Sequence, residues 1–146
     1  MAKLHLIKLS VGTESVDTLN EWQQVVADRN RAAGLGPIVT HVTRMWPRRQ
    51  DELLDGGSIY WVIKGTVLAR QPVIDLQERI DAEGIRRCAI VLEPGLIRTK
   101  PQPRRAFQGW RYLKPEDAPR DLPEGAEGDD DLPPELHSAL SDFGIL

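Results

Sequence analysis

SIYWVIKGTVLARQPVIDLQ, residues 58–77, is the stretch on which the fold turns. SIYWVIK, 58–64, reads as the clearest strand in the chain, with β-branched and aromatic residues held between glycines. TVLARQPVIDLQ, 66–77, continues as a long strand with an irregularity at Pro72, because proline has no N–H to give to a ladder. Upstream, IVTHVTRM, 38–45, is rich in β-branched residues and reads as another strand, with Ile38, Thr40, Val42 and Arg44 on one face. Pro47 suits the first position of a short helix, PRRQDELL, which stops at Gly56 and Gly57. Downstream, ERIDAEG reads as a helical turn, RRCAIVLE (86–93) as a strand and GWRYLK (109–114) as the last strand.

At the start of the chain, KLHLIKL (3–9) is a short strand with polar residues interleaved. Thr13 or Ser15 caps a helix over 15–32 that carries Glu14 and Asp17 at its beginning. Leu19, Trp22, Val25 and Val26 recur at helical spacing, so Trp22 is expected in the core; Gly34 ends the helix. The order β-α-β-α-β-β-β-β implies the α+β class, with a small mixed or antiparallel, pseudo-barrel sheet and flanking helices. The expected division is a domain over 1–114 and an acidic Pro/Gly-rich tail over 115–146. Within that tail, Leu136, Leu140 and Phe143 suggest a final helix that docks on this body or on a second copy.

The 146 residues suit one domain. A net charge of −3 hides a segregation: residues 115–146 hold ten acids and one base (Arg120), a net of −9, so the remainder carries +6. No apolar run approaches the roughly 20 residues needed to cross a bilayer. His5 and Lys8 interrupt the N-terminal apolar residues, unlike a secretory signal. A cytoplasmic location without membrane association is therefore expected. The single cysteine, Cys88, excludes an internal disulfide and a Cys-cluster zinc site, and reads as a small buried hydrophobe.

Two segments concentrate cations and aromatic rings. Residues 40–65 carry Arg44, Trp46, Arg48, Arg49, Trp61 and Lys64; residues 98–114 carry six cations and no acid, with Phe107, Trp110 and Tyr112 among them. Phosphate backbones call for clustered cations, and exposed bases stack on flat rings. The candidate nucleic-acid-binding residues are Arg44, Arg48, Lys64 and Arg111 for phosphate, and Trp46 and Trp110 for stacking. The competing structural reading puts Trp61 and Trp110 in the core and pairs the arginines with acids such as Asp51 and Glu52. No nucleotide-cradling glycine motif, nucleophile elbow or His/Cys cluster is present, so no cofactor, metal or catalytic residue is expected. An enzymatic alternative, a small hydrolase or modifying enzyme acting on a nucleobase-like substrate, would rest on His41, Thr43 and Lys64. A third reading is a dimerisation module using the C-terminal helix.

The runs TRMWPRR, LLDGGSIYWVIKG, IRRCAIVLEP and PQPRRAFQGWRYLKPEDAP are similar to an alphaproteobacterial family known as domain of unknown function 1489. The strand–helix–strand opening, GSIYWVIKG and the closing GWRYL more distantly resemble the PUA superfamily, with its ASCH and EVE branches. That resemblance implies a pseudo-barrel flanked by helices and a cleft between them for RNA or a modified base. ASCH domains show a Gly-x-Lys-Thr segment before an arginine; THVTR stands here without the lysine, so the hydrolase activity of that branch does not carry over.

Overall fold

The computed structural model describes residues 4–122. Seven strands and two helices form an α+β unit in the order β1 (His5–Leu9), α1 (Val16–Ala32), β2 (Val39–Thr43), α2 (Gln50–Leu54), β3 (Ser58–Ile63), β4 (Thr66–Ile80), β5 (Arg86–Leu92), β6 (Ile97–Pro103) and β7 (Trp110–Leu113). The sheet runs β2-β5-β4-β3-β1-β7, with β6 also paired to β4. β1 and β3 are parallel; every other pairing is antiparallel. Among the described residues no helix is long and apolar enough to cross a membrane.

β3 is buried along its whole length, because the sheet has a core on each face. Leu6, Ile59, Trp61, Ile63, Ile90 and Leu92 pack on the face covered by α1. Ile7, Tyr60, Val62, Val67 and Leu113 form a second cluster behind it, covered by Phe107 and Ala118. Strand alternation makes this division: neighbours along β1, β3 and β7 point to opposite faces.

β4 is long enough to pair with three partners. Its first half holds β3 and β6, its second half β5, and register shifts fall at Val67/Ala69 and Val73/Asp75, the second just past Pro72. Pairing with β5 carries β4 to Ile80, into the stretch whose composition suggested a helical turn. The reversal is instead an Asp-based turn, in which the Asp81 carboxylate accepts from the Glu83 and Ile85 N–H groups, both at 2.9 Å. β6 is the strand that the sequence did not announce, since Pro101 and Pro103 argue against one. It runs beside the first half of β4, and residues 120–122 bond to its backbone through Lys100 N–H to Arg120 C=O (2.8 Å) and Leu122 N–H to Arg98 C=O (3.0 Å). A bidentate Arg70–Asp121 pair (2.7 and 2.8 Å) fastens the same segment. Residues 115–122 thus lie along the body; the expected helix around Leu136, Leu140 and Phe143 lies outside the described residues.

The sheet does not close, but its two ends are tied by side chains. β7 carries Trp110, whose indole N–H donates to Met45 C=O (3.0 Å), and Tyr112, whose hydroxyl accepts from Arg48 and Arg49 N–H (2.8 and 3.1 Å). α2 begins at Gln50 rather than at Pro47, with Arg49 outside the helical region at φ −92° and ψ 47°. Gly57, between α2 and β3, has the carbonyls of Leu53 and Leu4 against its α-carbon, where a methyl group would collide with both. Gly57→Ala is expected to cost about 1–3 kcal/mol as an overpacked site. A shift of the urea midpoint measures it; an unchanged midpoint would contradict the close approach.

Candidate binding cleft

α1 lies on the sheet through Val16, Leu19, Gln23, Ala27 and Asn30, two of which are amides. Both amides are satisfied. Asn30 donates to Ile38 C=O (2.9 Å) and Thr40 Oγ1 (3.3 Å). Gln23 exchanges reciprocal hydrogen bonds with Gln71 at 2.7 and 2.9 Å. Gln71, wholly buried in β4, also donates to Glu93 C=O (2.9 Å), and its Oε1 accepts the Trp61 indole N–H at 3.2 Å. This buried pairing takes the helix position that an apolar stripe would have given to Trp22. Trp22 is therefore 55% exposed, which corrects its expected place in the core.

Beside that anchor, α1 and the sheet enclose a cleft of about 170 Å³. Cavities of about 150 Å³ hold a benzene ring, so one small flat ring fits. Trp61 and Trp22 contribute indoles to the wall; Lys8, Ser10, Gln23, Thr40 and His41 contribute polar groups. Register explains how they meet. Lys8 of β1 pairs with Trp61 of β3 on one side and Trp110 of β7 on the other, so the three side chains share the α1 face. His41, from β2, meets Trp61 edge to face with ring centroids 5.6 Å apart. Burial, with the Lys8 charge second, pushes the His41 imidazole down to about 4. Burial also lowers the Lys8 ammonium. No hydrogen bond or ion pair to the His41 ring or the Lys8 ammonium occurs among the described residues, so both are available to a guest.

None of the six residues singled out from the sequence lines this cleft. Trp110 is buried, with its N–H spent on Met45, and so offers no face for stacking. Arg111, the next residue, points to the other face and lies 5.3 Å from the Phe107 ring. Trp46 is half-buried under the Arg86 guanidinium at 4.5 Å. Arg44 and Arg48 are exposed after β2, and Lys64 is exposed at the β3–β4 turn with a φ of 50°. The six therefore do not assemble into one groove, because strand alternation sends Trp110 and Arg111 to opposite sides. The expected pairing of Arg49 with Glu52 does occur. Of the hydrolase candidates, His41 alone lines the cleft. Lys8 and Trp22 were not among the sequence candidates, while Trp61 was read both as part of the basic, aromatic stretch and as core; the interleaved lysine in KLHLIKL was the available signal for Lys8.

A family model described as Protein of unknown function (DUF1489) matches residues 6–146. The chain belongs to that family. The match continues through residues 115–146, so in this DUF1489 chain the acidic end falls within the family unit. No curated protein and no solved structure matches the chain.

Gln71→Leu would strand the Gln23 amide and the Trp61 N–H in the interior, at about 1–3 kcal/mol for each orphaned group. The double variant Gln23→Leu/Gln71→Leu should recover part of that loss in denaturant unfolding; strictly additive losses would argue against the pairing. The His41 shift has a sign that can be read. Unfolded, the imidazole takes a proton near its ordinary 6.5; folded, it resists until about 4. Between those values the unfolded chain holds the extra proton, so stability falls as pH drops through that window and levels off below it. His5, lowered first by burial and then by Arg70, acts in the same direction. His41→Asn should flatten the slope, and an unchanged slope would refute the buried neutral ring.

Proposed function

We propose that the chain is a nucleic-acid-binding module that takes one flat base, from RNA or as a free modified nucleobase, into the cleft between α1 and the sheet. The observation that carries this reading is the convergence of Trp22, Trp61, His41 and Lys8 on a cleft of about 170 Å³. Trp22 supplies an exposed indole for stacking, worth about 1–3 kcal/mol per base. The His41 ring, neutral in the folded chain, reads the hydrogen-bonding edge of the heterocycle, and Lys8 meets a carbonyl oxygen or an anionic nitrogen on it. Thr40 and Ser10 add hydroxyls at the same wall. The resemblance to PUA-superfamily domains, whose cleft lies between barrel and helices, supports the same placement.

Calorimetric titration of the full chain with free purine and pyrimidine bases tests the cleft without any phosphate present. Binding that moves the His41 ring resonances, and that weakens about tenfold or more in Trp22→Ala, is the expected result. If no base disturbs His41, the reading is wrong.

A further inference from the structure

A second concave surface lies on the other side of the sheet. Arg104, Arg105 and Arg111 border an open basin of about 510 Å³, with Phe107 and Ile7 in its wall. Its position follows from the fold. Arg111 is paired across β1 with Ile7 and so faces away from α1. The chain after β6 is held at the β3–β4 turn by Arg104 N–H to Gly65 C=O (2.8 Å).

Six of the chain's other eleven arginines are neutralised by a carboxylate: Arg31, Arg49, Arg70, Arg86, Arg87 and Arg98. Arg104, Arg105 and Arg111 pair with none among the described residues. Arg104 is oriented by neutral acceptors instead: its Nε donates to Gln102 Oε1 (3.0 Å) and one terminal nitrogen to Asp117 C=O (3.5 Å). Arg111 lies over the Phe107 ring. Three guanidinium groups held around one hollow without a counter-anion repel one another, and an anion with several oxygens relieves that repulsion. Guanidinium forks match phosphate oxygens in particular. The half-buried Phe107 ring, packed on the second core cluster, backs the Arg111 guanidinium and fixes its position at the basin.

We propose that Arg104, Arg105 and Arg111 form a phosphate-binding site for the backbone of a single-stranded nucleic acid, on the face of the sheet opposite the α1 cleft. The site stands whether or not a base enters that cleft.

The test uses the full chain with two probes, tripolyphosphate by calorimetry and a fluorescent oligouridylate by anisotropy across a salt series. Tripolyphosphate carries no base, and the free bases of the cleft experiment carry no phosphate, so either site can fail alone. With three phosphates neutralised, log K should fall against log salt with a slope of about −2. The triple variant Arg104→Gln/Arg105→Gln/Arg111→Gln should lose at least tenfold in affinity for both probes, together with most of that slope. Arg105→Gln alone removes an exposed side chain with no bonded partner among the described residues, and should weaken both probes severalfold without disturbing the fold. Unchanged affinity in both variants overturns the proposal. It is also overturned if the full chain binds neither probe.

Discussion

The amide of Gln71 is the constraint on which the architecture of the cleft depends. A glutamine buried completely in a strand is costly unless all its hydrogen-bonding groups are met. Here they are met by three different elements: Gln23 from α1, Trp61 from β3 and the Glu93 carbonyl after β5. Because each bond is directional, the helix is set on the sheet at one height and one rotation, where apolar contact alone would tolerate sliding. Trp22 is displaced from the core as a result, and the space beside Gln23 becomes a wall of the cleft. The chemistry proposed for Lys8 and His41 therefore depends on a bond that involves neither residue.

The second organising fact is that one layer of sheet carries two cores. β1, β3 and β7 each send alternate residues to both sides, so Trp110, Lys8 and Trp61 belong to one surface while Arg111, Ile7 and Tyr60 belong to the other. The ends of this open sheet approach through Trp110 and Tyr112 bonding to residues 45–49, a link made by side chains where a closed barrel would use a ladder.

Much of the fold was legible in the sequence because its strands are built of β-branched and apolar residues between glycines and prolines. Helix α1 was legible in extent and only in part in orientation. Of the apolar stripe, Leu19 is buried and Val26 packs on the core as the periodicity indicated, whereas Trp22 and Val25 are exposed and two inward positions are held by Gln23 and Asn30, whose polarity hides their burial. β6 was hidden by Pro101 and Pro103, which an edge position tolerates. The clustering of cations was visible, but their convergence was not. Trp110 and Arg111 stand next to each other in sequence, and strand geometry alone requires them to face apart. The cleft was the least legible part, since Lys8, Trp22, His41 and Trp61 come from four elements and meet through the parallel pairing of β1 with β3, which leaves no local signature.

The sheet also works as a partition. The basin and the cleft share β1, and their walls are alternate residues of the same short strand: Ile7 toward one, Lys8 toward the other. A substitution that retunes one surface leaves the opposite one chemically untouched, while an insertion or deletion within β1 exchanges the two sets of side chains at a stroke. The spacing of the five consecutive positions His5 to Leu9 is thus what keeps the two surfaces apart.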